Sequence, residues 1–316
     1  MQAATAVARA GRLACVLVAA FAITLQSQAR AGDEPITPIH VPAVANEKRV
    51  ALGERLFADR RLSRNGTHSC ATCHDLKSNG AGVEARDISA NGQMLVYNTP
   101  TVFNAALSFR LPWEGRFRAM ETFLEEILAS PVIMGSSADE TVRRLRADPD
   151  VVRQFQDAYG RAPDVPALLD ALSVHQRSLL TPGSRFDRWL AGDADALTRE
   201  ELAGYQQFKS LGCISCHQGV NVGGNLFQKP GIFHPLGWPA PEAVRVPSLR
   251  NVAATAPYFH AGSEATLHDA VKIMGITQLD RLLTDAQVEA VVAFLNTLTG
   301  NYRGEPVRPA TAAPRP

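Results

Sequence analysis

Two short stretches of the chain carry residues that could perform redox chemistry together. Cys70-Ala71-Thr72-Cys73-His74 and Cys213-Ile214-Ser215-Cys216-His217 share the spacing Cys-x-x-Cys-His. Two thiols three positions apart can bond the two vinyl groups of one porphyrin, and the histidine that follows can then ligate its iron. The spacing therefore predicts two covalently attached c-type haems, one ligated by His74 and the other by His217.

The same cysteines allow two other interpretations, a redox-active disulfide and a zinc site. A thioredoxin-like Cys-x-x-Cys belongs to a βαβ unit, and the surrounding sequence has no such pattern. A zinc site built from both pairs would join cysteines 143 positions apart and would leave His74 and His217 without a role. Both interpretations therefore explain less of the sequence than haem attachment does.

The first 31 residues have the pattern of an export signal. Two arginines precede an apolar run from Leu13 to Leu25, and Ala29-Arg30-Ala31 forms an Ala-x-Ala cleavage site. This run of thirteen residues is too short to cross a bilayer of roughly 30 Å, so we expect cleavage rather than a membrane anchor. The mature chain would begin near Gly32 in the periplasm without a membrane span, and Cys15 would leave with the signal.

Composition and charge exclude several classes of protein. Hydrophobic residues make up 46% of the 316 residues and charged residues 20%, as in a globular chain rather than a disordered or fibrous one. Lys and Arg (32) nearly balance Asp and Glu (31), and the sequence has no basic run of the kind that binds nucleic acid. We therefore expect no DNA or RNA partner.

Helical patterns surround both motifs and divide the chain into two similar halves. In the first half, apolar residues recur at helical spacing near Glu47 to Arg61 and from Val165 to Leu180. In the second half, capping-box pairs begin helices at Thr198 and Thr284, and strand patterns are scarce. The breaker Thr181-Pro182-Gly183 lies between the halves and predicts a hinge there.

These patterns predict a mainly α protein with few or no strands. We expect a signal peptide over residues 1–31, a first domain over residues 41–182 and a second domain over residues 183–302. The tail over residues 303–316 is rich in Pro and Ala, and we expect it to be disordered.

Further motifs flank the two haem motifs in a fixed order. They are Leu52-Gly53-Glu54-Arg55-Leu56-Phe57, Asn98-Thr99-Pro100-Thr101-Val102-Phe103-Asn104, Trp113-Glu114-Gly115-Arg116, Val246-Pro247-Ser248-Leu249-Arg250-Asn251-Val252 and Thr255-Ala256-Pro257-Tyr258-Phe259-His260-Ala261-Gly262. The series resembles that of the bacterial di-haem cytochrome c peroxidases and their MauG-like relatives, and the resemblance covers most of the mature chain, roughly residues 41–299. The resemblance implies two cytochrome c-like helical domains. The first would hold a peroxide-reactive haem and the second an electron-accepting haem.

Met274 lies on an apolar helical stripe that begins at Leu267, a pattern that core packing also explains. The resemblance implies instead that the Met274 thioether ligates the second haem together with His217, which raises the reduction potential of that haem. Arg245 and Arg250 are candidate partners of the haem propionates, because a guanidinium pairs well with a carboxylate. Either arginine could instead be an ordinary surface charge.

The resemblance also implies roles between the two haems. Trp113 matches a tryptophan that lies between the haems and assists electron passage, so we expect Trp113 and His74 to serve catalysis. Asn98, Thr255 and Pro257 match the residues that bind a calcium ion between the domains, through one side chain and two backbone carbonyls. Hard oxygen ligands of this kind suit calcium.

The sequence departs from the family pattern at the peroxide-reactive haem. The positions of the family's distal glutamine and glutamate are Phe123 and Ile133, which cannot move a proton on bound peroxide. The position of a distal histidine ligand is Ala90, which leaves an open iron or an unusual ligand such as Met94 or Tyr97. Replacements for the missing acid and base could come from Gln93, Glu125 or Glu126.

Three functions are compatible with these observations. The first is a periplasmic peroxidase that takes electrons from a small cytochrome c or cupredoxin through Met274 and reduces hydrogen peroxide at the first haem. The second is a MauG-like oxidase that modifies side chains of a partner protein, and the third is an electron carrier or redox sensor. The family often forms dimers, so a homodimer is a further expectation.

Overall fold

The computed structural model describes residues 34–43, 46–237 and 241–310. The expected signal peptide and Cys15 lie outside these ranges. From Pro35 onward the described residues form one compact unit. Over the same ranges, no helix combines the length and the apolar character needed to cross a membrane.

Helices dominate the first half of the chain, on both sides of the first Cys-x-x-Cys-His motif. They are α1 (Glu47–Phe57), α2 (Cys70–Cys73), α3 (Met120–Ala129), α4 (Ala138–Arg146), α5 (Pro149–Tyr159) and α6 (Val165–Ser178). The first helix begins at Asn46, whose side chain accepts a hydrogen bond from the Arg49 amide, and it ends four residues before the expected Arg61. It ends there because Asp59 caps a separate 3-10 turn over Arg60–Leu62.

The second half is also mainly helical, and its strands are two residues long. Its elements are α7 (Arg185–Leu190), α8 (Arg199–Ser210), α9 (Leu267–Leu279), α10 (Asp285–Asn296), β1 (Phe227–Gln228), β2 (Val244–Arg245), β3 (Asn301–Tyr302) and β4 (Glu305–Pro306). β1 pairs antiparallel with β2, and β3 with β4. The capping boxes at Thr198 and Thr284 are confirmed, and so is the mainly α fold.

The two halves are built around the same helix crossing. α1 crosses α6 where Gly53 meets Ala171, and α8 crosses α10 where Gly204 meets Ala290. A Cβ placed on either glycine would lie 2.0 Å from the alanine carbonyl oxygen, so only glycine allows the helices to approach this closely. Each crossing anchors its own hydrophobic core. This repetition supports one cytochrome c-like domain around each haem motif.

The connection between the halves is held by hydrogen bonds from both of them. The Thr181 hydroxyl accepts hydrogen bonds from the side chains of Asn104 (2.7 Å) and Asn251 (3.0 Å), and the Thr181 amide donates to Asn104. Both asparagines have left-handed backbone conformations and precede 3-10 turns, over Ala105–Leu107 and Val252–Ala254. The expected hinge at residues 181–183 is therefore anchored by hydrogen bonds at its buried first residue, Thr181.

The tail was predicted to be disordered from Arg303, and this is wrong for residues 303–310. β3 turns back into β4 through Arg303 and Gly304, both of which have positive φ. Val307 is only 5% exposed and packs in a cluster with Phe57 and other residues of both halves. Burial of this valine and the ion pair between Arg303 and Glu54 (2.5 Å) hold the segment in place. Residues 311–316 lie outside the described ranges.

His175 occupies, at the first crossing, the position that Phe294 occupies at the second. Each residue lies four positions after the alanine of its crossing, and each packs against the glycine of the opposite helix. His175 is fully buried, and neither of its ring nitrogens has a hydrogen-bond partner. Burial lowers the pKa of His175 to about 4. The charge of Glu54 raises this pKa by a smaller amount, and the charge of Arg303 lowers it further.

We expect His175 to make the free energy of unfolding depend on pH. The unfolded chain binds a proton at this residue below pH about 6.5, whereas the folded chain does so only below about 4, so stability is lost as pH falls between these values. His175→Phe should remove about 3 kcal/mol of this loss. Urea unfolding at neutral pH and near pH 4.5 measures it. The exposed His234→Gln serves as control, and an unchanged pH profile in His175→Phe would contradict the prediction.

Candidate functional site

The first haem motif forms a short helix that ends at its histidine. α2 covers the two cysteines, and the Ser69 amide donates a hydrogen bond to the Thr72 hydroxyl at the start of this helix. His74 follows directly, with its Nδ1 3.0 Å from the carbonyl oxygen of Gly80. An Nδ1–H that donates to this carbonyl leaves Nε2 with a free lone pair, which is the arrangement of a metal-ligating histidine.

The second motif repeats this arrangement. Its cysteines lie on a 3-10 turn over Cys213–Ser215, and Nδ1 of His217 is 3.4 Å from the carbonyl oxygen of Val222. Burial lowers the pKa of both motif histidines, that of His217 to about 4. Both rings are therefore neutral near pH 7, as iron ligation requires.

The surroundings of the four motif cysteines oppose ionisation of a thiol. No disulfide joins them. Burial raises the pKa of Cys70 to about 12 and those of Cys73 and Cys213 to about 11. A zinc site and a thiol–disulfide redox site both need thiolates, so these surroundings favour neither. Nor do the described residues form any metal-binding group of three or more His, Cys, Asp or Glu side chains.

A cavity of about 490 Å³ adjoins the second motif. It is bordered by Cys213, Cys216 and His217 on one side and by Met274 of α9. The apolar stripe that begins at Leu267 also borders the cavity, so Met274 faces an open space rather than a closed core. Two thiols, one imidazole and one thioether around an apolar cavity are the donor set that a c-type haem uses, and these residues fit the group.

A glycine brings the backbone close to the second histidine. Gly223 has φ +128°, and a Cβ on it would lie 2.2 Å from the carbonyl oxygen of Pro247 and 3.4 Å from Nδ1 of His217. The backbone of Pro247 also accepts a hydrogen bond from His217. Any residue with a side chain at position 223 would therefore disturb the segment that orients the His217 ring.

Trp113 borders the same cavity and contacts the side chains of His260 and Arg245. Its indole meets the His260 ring edge-on at a centroid distance of 4.5 Å, and the Arg245 guanidinium lies 4.8 Å from the indole centroid. The Arg245 amide donates to the Trp113 carbonyl (2.8 Å), and the His260 ring bonds the Arg245 carbonyl. The Trp113 Nε1 is buried without a partner in the described structure. The sequence placed His260 in a motif but gave it no role.

The two candidate propionate partners differ. Arg245 borders the cavity and is buried, and its guanidinium donates to the Pro112 carbonyl (3.3 Å) and the Ser108 hydroxyl (3.2 Å). Burial lowers the pKa of Arg245 to about 10, so it stays charged at neutral pH. This position is compatible with a carboxylate partner, and the propionate role of Arg245 stays a prediction.

Arg250 does not have the expected position. Its guanidinium pairs with Asp187 at 2.6 Å, and the two side chains are only 1% and 5% exposed. The remaining nitrogens donate to the carbonyls of Thr37 (2.9 Å) and Val220 (3.0 Å). A carboxylate of the protein already neutralises the charge of Arg250, which does not favour a propionate partner, and the propionate role of Arg250 stays a prediction.

The three residues expected to bind calcium all border the cavity. They are Asn98, Thr255 and Pro257. The Asn98 amide donates to the His260 carbonyl (2.7 Å), and its side-chain nitrogen donates to the Glu84 carbonyl (2.9 Å). The side-chain oxygen of Asn98 is the atom that would serve a cation.

The first half is apolar where the family has its distal acid and base. Phe123 and Ile133 pack against the core of this half, as their side chains predict. Gln93, Glu125 and Met94 are exposed, and Glu126 pairs with Arg116 at 3.4 Å. Tyr97 interacts with Glu114. In the described structure, the candidate acids, bases and ligands of the first haem are therefore either exposed or paired with another side chain.

Two repeated helical halves, each with a Cys-x-x-Cys-His motif and a backbone-bonded histidine, define the class of di-haem cytochromes. The sequence profile of the di-haem cytochrome c peroxidases matches residues 47–195, and that of cytochrome c matches residues 202–299. The chain is 37% identical to the cytochrome c551 peroxidase of Nitrosomonas europaea, over 86% of each chain. It is 36% identical to that of Pseudomonas aeruginosa, over 90% of this chain and 88% of the other. The chain belongs to the di-haem cytochrome c peroxidase family, and the predicted resemblance is confirmed.

Solved structures show the same fold. A MauG-like protein associated with microbial copper homeostasis superposes with a TM-score of 0.72 at 29% identity, over 84% of this chain and 93% of the other. The chain therefore resembles a MauG-like protein in structure as well as in its sequence motifs.

Proposed function

We propose that this protein is a periplasmic peroxidase that reduces hydrogen peroxide to water with electrons from a small cytochrome c or cupredoxin. Its relatives at 36% and 37% identity are cytochrome c peroxidases. The observation that carries the proposal is that His217, Met274 and Trp113 border one cavity. An electron received beside Met274 can therefore pass toward the indole that leads to the first half.

Two haems would be held by the residues that the motifs supply. Cys70, Cys73 and His74 would hold the first, and the second would be held by Cys213, Cys216, His217 and Met274. Bound haem supplies a redox-active iron that exchanges electrons with peroxide and with the donor. The protein orients both imidazoles through the carbonyls of Gly80 and Val222 and lines the second site with apolar side chains of α9.

The contacts around Trp113 suit passage of electrons without rearrangement. The ring of His260 and the guanidinium of Arg245 both pack against the indole. Calcium bound by Asn98, Thr255 and Pro257 would tie the same segment together, because the Asn98 amide already bonds the carbonyl of His260. Arg245 would neutralise a propionate at the same cavity.

The direct test of the proposed function is peroxide turnover with reduced cytochrome c as donor. Protein matured in a host that attaches c-type haem should consume peroxide far faster than free haem does, with one peroxide for every two cytochromes oxidised. A rate no faster than that of free haem would contradict the proposal.

A MauG-like oxidase is the second candidate, and the apolar surroundings of Phe123 and Ile133 favour it. A pocket without a proton-moving side chain slows peroxide cleavage and would preserve an oxidised state for reaction with a partner protein. Steady peroxide turnover with reduced cytochrome c argues for the first candidate. Peroxide-dependent modification of a partner's side chains, with little turnover of cytochrome c, argues for the second.

We expect Met274→Leu to lower the reduction potential of the second haem. Leucine keeps nearly the same volume and apolar character, so the stability of the fold should change by less than about 1.5 kcal/mol. Loss of the thioether ligand should lower the potential by on the order of 0.1 V, within the range of about 0.8 V that axial ligands cover. Potentiometric titration measures this value.

Met134→Leu provides the matched control for the Met274 variant. Met134 is a buried methionine that lies in the core of the first half. Its replacement should leave both potentials unchanged. If Met274→Leu also leaves the potential of the second haem unchanged, then Met274 is a packing residue and not a ligand.

A further inference from the structure

Two backbone carbonyls hold the motif histidines, and both belong to residues with a left-handed backbone. The Gly80 carbonyl lies 3.0 Å from Nδ1 of His74, and Gly80 has φ +66°. The Val222 carbonyl lies 3.4 Å from Nδ1 of His217, and Val222 has φ +48°. Glycine adopts this conformation freely, but a β-branched valine is strained in it. Val222 is fully buried, so its surroundings must hold its backbone in place.

An asparagine precedes the first of these carbonyls and joins it to the other half. Asn79 is only 1% exposed, and its side-chain nitrogen donates to the Ala254 carbonyl at 2.6 Å. Ala254 ends a 3-10 turn of the second half. Within the first half, Asn79 accepts hydrogen bonds from the Ala81 amide (2.9 Å) and from the Thr101 hydroxyl (2.6 Å). The position of Gly80 is therefore tied to the second half as well as to its own.

The second half shows the reciprocal arrangement. Asn221 precedes Val222 and is 2% exposed. Its side-chain nitrogen donates to the Asn104 carbonyl and to the Ser108 hydroxyl, both at 3.3 Å. These two acceptors flank the 3-10 turn of the first half. Within the second half, the Ser248 hydroxyl donates to the Asn221 carbonyl at 2.7 Å. Each histidine-bonding carbonyl is therefore next to an amide that crosses to the opposite half.

Burial makes these crossing hydrogen bonds costly to break. An amide that loses its acceptor away from water bears the full cost of its desolvation. Asn79 and Asn221 therefore keep their acceptors when the two halves shift against each other. Such a shift moves the backbone of Gly80 and Val222 instead.

The bond between each histidine and its carbonyl affects the iron that the other ring nitrogen would ligate. A carbonyl that accepts from Nδ1 fixes the orientation of the ring and makes the ligating nitrogen more basic. A more basic ligand stabilises oxidised iron, which lowers the reduction potential. Movement of either carbonyl away from its histidine would therefore raise the potential of the haem at that site.

We propose that Asn79 and Asn221 are positioning residues through which each half fixes the iron-ligating histidine of the other. The inference rests on ligation of two haems by His74 and His217, which the proposed function requires. The reduction potential of each haem then depends on contact between the halves, so that a change at one site reaches the other through the backbone.

The test is a redox titration of the full di-haem protein, followed by the electron paramagnetic resonance signal of each ferric haem. The variants are Asn79→Ser and Asn221→Ser. A serine hydroxyl at position 79 can still accept from the Ala81 amide, but it is too short to reach the Ala254 carbonyl.

The two serine variants should have opposite selectivity. Asn79→Ser should make reduction of the first haem about tenfold more favourable, a rise of about 59 mV for one electron, and leave the second haem unchanged. Asn221→Ser should raise the potential of the second haem only. If a serine variant does not fold, threonine at the same position replaces it, because its methyl group fills more of the space.

Thr181→Val is the matched control. Thr181 is 1% exposed and accepts hydrogen bonds from side chains of both halves, but it precedes neither histidine-bonding carbonyl. Its replacement should lower stability in urea and leave both potentials unchanged. Unchanged potentials in the asparagine variants, or the same shifts in Thr181→Val, would overturn the proposal while the proposed function stands. If the wild type holds no haem ligated by His74 and His217, the proposed function fails as well.

Discussion

Replacing Cys70 and Cys73 together by alanine should reduce the haem content from two per chain to one and abolish peroxide turnover. The paired thiols are the only covalent anchors available to a porphyrin at this site, and His74 alone holds haem by a bond that dissociates. The first half also carries the proposed site of peroxide reduction, so its loss leaves no alternative route. The pyridine haemochrome assay on denatured protein measures the covalent haem, and peroxide consumption measures the activity.

In the matched variant, Cys213 and Cys216 are both replaced by alanine. This variant should also retain one haem per chain. Peroxide turnover with reduced cytochrome c should fall, because this donor would lack its site beside Met274, so the size of the loss should depend on the donor used. Burial raises the pKa of Cys70 and Cys213, so their replacement by alanine leaves no buried charge without a partner. Two covalent haems in either double variant, or none in the wild type, would refute haem attachment at these motifs.

Arg250→Met should lower the free energy of unfolding by about 3–5 kcal/mol, because it leaves the Asp187 carboxylate buried without its partner. The guanidinium also bonds the carbonyls of Thr37 and Val220, so its loss loosens three segments together. Val220 lies in the loop whose Val222 carbonyl orients His217. Urea unfolding of the holoprotein, followed by circular dichroism, measures the effect.

A double-mutant cycle separates the ion pair from a haem contact. Asp187→Asn in the Arg250→Met background should recover a large part of the lost stability, because the unpaired charge is gone. Arg245→Met is the comparison, since Arg245 borders the cavity and its replacement should affect the second haem more than the fold. If Arg250→Met mainly shifts a haem potential, with no coupling to Asp187, the propionate role is supported.

Features that depend on neighbouring residues could be predicted from the sequence. The spacing within each Cys-x-x-Cys-His motif decides whether two thiols and an imidazole can reach one porphyrin, and this needs no tertiary contact. The capping boxes at Thr198 and Thr284 likewise join residues three positions apart, and both form as predicted. The family motifs added the expectation of two cytochrome c-like domains, which the matches to residues 47–195 and 202–299 support.

Features that depend on distant partners could not be predicted. Arg250 is buried against Asp187, 63 positions away, and nothing local distinguishes it from Arg245, which borders the cavity. The tail looked disordered because its composition is rich in Pro and Ala, but burial of Val307 between the two halves holds it. The match between His175 and Phe294 likewise appears only where the two helix crossings are compared.

The sequence by itself determined which chemistry to expect of this protein, because the residues that would attach and ligate a c-type haem lie within five consecutive positions. The tertiary structure decided which groups surround that chemistry: the carbonyls that orient His74 and His217, the cavity that brings Met274 and Trp113 together, and the charge beside the indole. The physical reason is that covalent spacing acts over a few bonds, whereas burial and charge pairing depend on which distant segments pack against each other.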